Sequence, residues 1–544
     1  MKLINIILFF SILPFFDGDS FLTHRKQHEP PQQKEKPNII FFLVDDLGWA
    51  DVGCYGSSFY ETPNIDALAN EGVKFTDAYA ACHVCSPTRA SILTGKYPAT
   101  LNLTDYLPGR PEHPFQKYLN ADINPHLPYE EVTIAEALKE HGYQTAIIGK
   151  WHLGEDPSTP MAHGFDMQTP TNWAKGWPKK GYFTPFEMDG LEDSEDGDYL
   201  TNRLTDEAVK YIETNKEKPF FLYMSHFAVH DPIQGRKDLV EKYSNKLNKL
   251  ERSDEDNAPA YLLEGNPDAP SKRSKEDLAE LINTKAYEPY EVLPGHLVKI
   301  KQKQDNVEFA GMVESMDESL GRIMKKLEEL GLEENTIIFF YSDNGGMAAA
   351  NFWNRNRSIQ EDKQDVAYST SNLPLRGAKG WMYEGGIRVP LIVKWPGKGK
   401  EKAQCTVPVT SVDMFPTIMN MVGIPNSVTS DKEGIDLSPL LQGEIQDRGP
   451  IYWHFPHYSN HGMQSPGGAI RDGDYKLLEY YENGTVQLYN LKRDLGEQND
   501  LSEIEEDKVK ELREKLRQWR KSVNARMIQP NPDYDPATDV WSGK

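Results

Sequence analysis

The stretch 80–98, AACHVCSPTRASILTGKYP, places Cys82 and Cys85 three positions apart and follows them with a proline, a threonine and Arg89. This spacing suits a thiol redox pair, half of a zinc site, or a loop presenting one reactive cysteine. A zinc site would need a second Cys/His pair at ligand spacing, and the remaining cysteines, Cys54 and Cys405, form no second C-x-x-C. A helical pattern starts at about Pro87, a residue that fits a first helical turn. Cys85 is then expected just before a helix N-terminus, where unpaired N–H groups and the helix dipole stabilise negative charge. Arg89 lies four residues on, about one turn, and can reach back to the same place. Together these residues read as an anion site built around a cysteine.

Other strings offer different chemistry. Asp45 and Asp46 in VDDLG, and Asp343 and Asn344 in YSDNGG, supply only oxygen ligands. Such a set suits a hard divalent cation, calcium or magnesium, rather than zinc. GKWHLG adds Lys150, Trp151 and His152, and SHFAVHDP adds His226 and His230.

The elements that must position these groups are legible. The runs at 38–44, 145–149, 220–225, 336–342 and 390–395 are apolar on consecutive residues, as strands covered on both faces are. Helical patterns at 133–141, 200–215 and 307–330 lie between them. The expected fold is α/β, with a large mixed, mostly parallel central sheet flanked by helices. Each polar cluster directly follows one of the first four runs, at the carboxyl end where such sheets bind ligands.

The expected organisation is a signal peptide at 1–20, a polar linker at 21–36, a catalytic domain at 37–400 with a surface insertion at about 244–306, and a smaller α+β C-terminal subdomain at 401–544. In the last, 469–491 reads as an antiparallel sheet and 503–527 as one long amphipathic helix. Residues 1–16, MKLINIILFFSILPFF, read as the n- and h-regions of an export signal, so the chain is expected outside the cytoplasm, periplasmic or secreted. No other segment is a candidate membrane span. The formal net charge of −23 argues against nucleic acid or an anionic membrane as a partner, so an anionic substrate needs a local basic pocket. Four cysteines in 544 residues are no disulfide scaffold.

The string C-S-P-T-R-A-S-I-L-T-G resembles the signature of the type I, formylglycine-dependent sulfatases of the alkaline phosphatase superfamily. PNIIFFLVDDLGWADVGCYG, GYQTAIIGKWHLG, HGFD, LRGAKGWMYEGGIRVPLIVKWPG and DMFPTI extend the resemblance from Pro37 onward. It implies an alkaline phosphatase-like fold and a Cys85 oxidised after translation to formylglycine, hence a formylglycine-generating or sulfatase-maturating enzyme as partner. It implies one calcium ion on Asp45, Asp46, Asp343 and Asn344, its shell completed by modified Cys85 and the substrate sulfate. Arg89 and Lys150 would hold the formylglycine hydrate, and His152 would move its proton. His230 and Lys379 would bind the sulfate and assist the leaving alcohol. An aldehyde hydrate carries two hydroxyls on one carbon: one attacks sulfur, and deprotonating the other ejects sulfate and restores the aldehyde.

The substrate expected is a sulfated carbohydrate, algal or glycosaminoglycan. The aromatic and lysine-rich 172–186 segment offers Trp173 and Trp177 for sugar stacking, and WHFPHYSNHG offers His454, His457 or His461 to the far side of the pocket. Three rivals remain: a phosphate or phosphonate ester hydrolase of the same superfamily, a non-catalytic sulfated-glycan binding protein if Cys85 stays a thiol, and a Cys82–Cys85 redox protein.

Overall fold

Six apolar residues follow Asn38 in β1 (Asn38–Val44), and the whole strand is buried. Ile39, Phe41 and Leu43 enter one core and Ile40, Phe42 and Val44 the other, which is why the run is continuous rather than alternating. This is a computed structural model, which describes residues 36–171, 176–250, 260–265, 267–268, 297–349, 368–425, 428–445, 447–459, 461 and 464–538. The leader and nearly all of the polar linker, residues 1–35, lie outside the described residues, as does Trp173.

The remaining strands of the main sheet are β2 (Val73–Phe75), β3 (Gln144–Gly149), β4 (Met167–Thr169), β5 (Phe220–Ser225), β6 (Thr336–Ser342), β7 (Leu391–Lys394) and β8 (Ala403–Cys405). Their order is β8-β2-β7-β6-β1-β5-β3-β4. Only β7 runs against its neighbours, so the sheet is mixed and mostly parallel, as the apolar runs imply. One face is covered by α1 (Pro63–Glu71), α3 (Leu200–Asn215), α4 (Lys237–Lys249) and α5 (Val307–Glu329). The other is covered by α2 (Cys85–Thr94) and α6 (Met414–Met421).

A second, antiparallel sheet follows: β9 (Ile451–Phe455), β10 (Gly467–Asp472), β11 (Tyr475–Tyr480) and β12 (Val486–Asn490). The long helix α7 (Glu506–Ser522) packs Leu512 and Leu516 onto Ile470, Leu477 and Leu488. The boundary expected at 400 is displaced. β8 extends the main sheet, and Met414, Phe415 and Ile418 of α6 sit in its core, because this helix has the apolar face that the sheet needs covered. In the expected insertion, 244–249 completes α4, and Tyr261–Gly265 pairs antiparallel with Leu297–Lys301. Among the described residues, no helix is long and apolar enough to cross a membrane.

Buried charge ties the two sheets together. Lys476 on β11 donates to Glu384 Oε1 and to Glu497 Oε1, both at 2.9 Å. Arg388 Nε donates to Glu384 Oε2 at 2.6 Å, and the Tyr79 hydroxyl donates to the same oxygen at 2.8 Å. Lys476, Glu384 and Glu497 are all fully buried. Removing the ammonium leaves two carboxylates without water, a loss of about 3–5 kcal/mol. Lys476→Met should therefore lower the urea midpoint at an unchanged slope. An unshifted midpoint would mean that apolar contact alone holds the small sheet in place.

Candidate active site

The register of the central strands brings the site together. Val44 pairs with Ser342, Leu43 with Ser225, and Gly149 with the same Ser225. The next residues along each strand therefore emerge at one edge: Asp45 and Asp46, Asp343 and Asn344, Lys150 to His152, and the segment leading to His230. Backbone bonds knit these ends. Asp343 N donates to Val44 O at 3.1 Å, Asp45 N to Ala228 O at 2.9 Å, and Lys150 N to Ser225 O at 2.7 Å. Asp46 sits at φ 61° and His152 at φ 56°, left-handed conformations that turn each side chain sharply from its strand.

Three buried carboxylates meet three buried cations here. Arg89 lays Nε on Asp343 Oδ2 at 2.8 Å and reaches Ser225 Oγ at 2.7 Å. Lys150 donates to Asp45 Oδ2 at 2.5 Å, and Lys379 donates to Asp46 Oδ2 at 2.7 Å. Burial, with repulsion from Asp343, holds the Asp45 carboxyl well above its usual range. Burial also works against Asp46, but Lys379, His230 and Lys150 more than offset it and hold that carboxyl low. His230 sends Nδ1 to the Asp231 carboxylate at 2.6 Å and Nε2 toward Asp46 at 3.7 Å. Burial and Lys379 press its imidazole down, and Asp46, Asp231 and Asp45 outweigh them, raising it to about 9.

The cysteine stands beside a neutral base. α2 begins at Cys85 itself, two residues earlier than the pattern suggests; Pro87 is tolerated because the first-turn N–H groups have no intrahelical partner. Cys85 Sγ is 3.2 Å from His152 Nδ1, and His152 Nε2 is 2.7 Å from the Leu107 carbonyl. A carbonyl only accepts, so the ring proton is on Nε2 and Nδ1 presents a lone pair to the Cys85 side chain. Burial, then Lys150, keeps this imidazole well below its usual value, hence neutral. Gly176 lies against the ring: a Cβ there would come within 2.3 Å of Cε1. Burial pushes the neighbouring Cys82 thiol far up, and its backbone N–H and C=O both bond Thr88 Oγ1, so it holds the loop and offers little thiolate for redox exchange.

The donor set fits a hard divalent cation. Asp45, Asp46 and His230, and likewise Asp45, Cys85 and Asp343, bring ligand atoms within 4.8 Å of one another. Asp45 Oδ1 and Asn344 Oδ1 are buried acceptors with no hydrogen-bond partner, an arrangement costing about 1–3 kcal/mol each unless a cation meets them.

Some residues expected here lie elsewhere. His226 turns to the opposite face, bonding Ser319 Oγ at 2.9 Å and packing on Phe42. His454 is buried with both nitrogens engaged, by the Tyr481 hydroxyl and the Arg526 carbonyl, and His457 bonds Thr104 Oγ1 at 2.7 Å. Trp177 is half-buried, next to the Gly176 that touches His152. Sequence reasoning missed Asp231, Ser225 and the Leu107 carbonyl. Asp231 was within reach as the neighbour of His230; nothing local marks Leu107.

The chain matches the family model for sulfatases over residues 37–424, and a model for the C-terminal part of N-sulphoglucosamine sulphohydrolase over 378–524. A sulfatase of Formosa agariphila is 30% identical over 571 residues, covering 90% of each chain. An N-acetylgalactosamine-6-O-sulfatase of Bacteroides thetaiotaomicron is 29% identical, over 93% of this chain and 98% of that one. The crystal structure of Ps i-CgsB in complex with k-i-k-neocarrahexaose superposes with a TM-score of 0.64 at 26% identity, over 94% of this chain and 95% of that one. With a cysteine, a neutral base and a ring of buried cations at one sheet edge, the chain belongs to the sulfatase family and is a sulfuric ester hydrolase.

Proposed function

We propose that the chain hydrolyses sulfate esters of a sulfated carbohydrate, with Cys85 matured to formylglycine and one calcium ion on Asp45, Asp46, Asp343 and Asn344. The observation that carries this is the contact of 3.2 Å between Cys85 Sγ and the unprotonated Nδ1 of His152, inside a ring of buried cations. The Sγ here marks the place of the hydroxyls that the matured side chain would carry. Relatives named for N-acetylglucosamine and N-acetylgalactosamine 6-sulfates support a sugar substrate. The apolar leader at 1–16 supports export to the periplasm or beyond, and a maturating enzyme is the implied partner.

A calcium ion on Asp45, Asp46, Asp343 and Asn344 would supply a Lewis acid for the sulfuryl oxygens, and a matured Cys85 would supply a geminal diol as nucleophile. The chain's own residues do the rest. His152 Nδ1 takes the proton, and the Leu107 carbonyl stabilises the imidazolium that forms through Nε2–H. Arg89 and Lys150 fix Asp343 and Asp45. On the other side of Asp46, His230 and Lys379 supply positive charge to the ester oxygens. His230, oriented by Asp231, would protonate the leaving alcohol.

A peptide mass spectrum across Cys85, on protein from its native source, should show the aldehyde in place of the thiol; an unmodified thiol would move the glycan-binding reading ahead. Cys85→Ala should remove turnover of 4-nitrophenyl sulfate with an unchanged circular dichroism spectrum, and near-wild-type activity would refute the mechanism. Matched aryl phosphate serves as the control, since a clear phosphate preference would sink the sulfatase reading.

Asp343→Ala should weaken calcium binding, measured by titration of chelator-treated protein. It should also slow turnover on the order of a hundredfold or more, the upper range for losing groups that merely orient a metal ligand. A variant that holds calcium normally would remove Asp343 from the ligand set.

A further inference from the structure

The loop between β9 and β10 carries His461, which the mechanism does not use. The residue is only 6% exposed. Among the described residues it is the one histidine whose two ring nitrogens are both buried without a hydrogen-bond partner. Buried imidazoles are ordinarily satisfied, as His454 on β9 is on both nitrogens. The groups that act on the His461 ring electrostatically belong to the site: Lys379, Asp46, Asp231 and His230.

The backbone of this turn is held in place. His461 N donates to Ser459 Oγ at 3.1 Å, and the Ser459 hydroxyl donates back to His461 O at 3.0 Å. Arg110 anchors the same turn through the Ser459 carbonyl at 3.2 Å. Gly380, next to Lys379, adopts φ +88°, and a Cβ on it would lie 2.3 Å from His461 Cβ. The two segments are therefore in direct contact, and His461 lies against Gly380, the residue after the lysine that faces Asp46.

We propose that His461 hydrogen-bonds a hydroxyl of the sulfate-bearing sugar ring and so helps set which sugar the site accepts. An imidazole with one N–H and one lone pair matches a hydroxyl, which both donates and accepts. A polar group left unpaired until substrate arrives discriminates strongly against substrates lacking the matching hydroxyl. The inference rests on the carbohydrate sulfatase reading of the same site.

The test compares wild type, His461→Ala and His461→Gln on N-acetylgalactosamine 6-sulfate, N-acetylglucosamine 6-sulfate and 4-nitrophenyl sulfate, which has no sugar hydroxyl. His461→Ala should lower kcat/KM about tenfold or more on the preferred sulfated sugar. It should leave 4-nitrophenyl sulfate within about twofold. His461→Gln keeps a donor and an acceptor and should recover part of the loss; it also carries the comparison if the alanine variant fails to fold. Equal losses on sugar and aryl sulfate, or no loss on sugar, would overturn the inference while leaving the sulfatase reading intact. Wild type that turns over the aryl sulfate but neither sugar overturns the inference as well. Wild type inactive on all three marks instead the failure of the sulfatase reading on which it rests.

Discussion

Asp45, Asp46 and Asp343 are buried together at the ends of two neighbouring strands, each no more than 2% exposed. Carboxylates so placed repel one another and have lost their water, so each needs an opposite charge within hydrogen-bond reach. The three that answer come from three separate parts of the chain: Arg89 from α2, Lys150 from the end of β3, and Lys379 from the loop before β7. Helix placement, strand register and loop closure thus meet one electrostatic requirement. The site is accordingly a structural element as well as a chemical one, since displacing any of these cations leaves a buried charge uncompensated.

The backbone serves the same end. Asp46 and His152 both occupy the left-handed region, which costs of order 1–3 kcal/mol for a residue with a side chain. Aspartate tolerates it better than most. Here the turn lets Asp45 and Asp46, adjacent in sequence, reach different cations, and it sets His152 against Cys85. The small sheet contributes from the opposite side, because its loop meets the Lys379 segment at Gly380. The buried Lys476 network that fixes this sheet also includes Glu384, a few residues beyond Lys379.

How much of this the sequence disclosed depended on how local each signal was. The apolar runs disclosed the sheet because a strand buried on both faces needs no distant information to be recognised. Asp45, Asp46, Lys150 and Asp343 gather at one sheet edge because they directly follow such runs. His226 follows one too, yet strand alternation sends it to the face opposite Ser225, where it meets Ser319 and Phe42. The partners that His454 and His457 find, Tyr481, Arg526 and Thr104, are 27, 72 and 353 positions away, beyond any local signal. Lys379 is likewise 333 positions from Asp46, and only family resemblance singled it out. The boundary set at 400 failed for a related reason: the helix after it completes the core of the sheet before it.

The charge count at the sheet edge would give a bound metal a role beyond Lewis acidity. At full ionisation, Asp45, Asp46 and Asp343 carry three negative charges, and Arg89, Lys150 and Lys379 carry three positive ones. Those cations are spent on the carboxylates, and the wider chain, at −23, repels an anion. A divalent cation held by the same carboxylates would leave the centre two charges positive. That excess would draw in a monoanionic sulfate ester and free Lys379 and His230 to meet its oxygens. A divalent cation would also take over from His230 in balancing Asp46, lowering the affinity of this imidazole for its proton and readying it to give that proton to a leaving alcohol. The buried carboxylates would therefore serve the anion site indirectly: by holding a dication, they would turn a self-neutralised cluster into one that needs an anion to complete it.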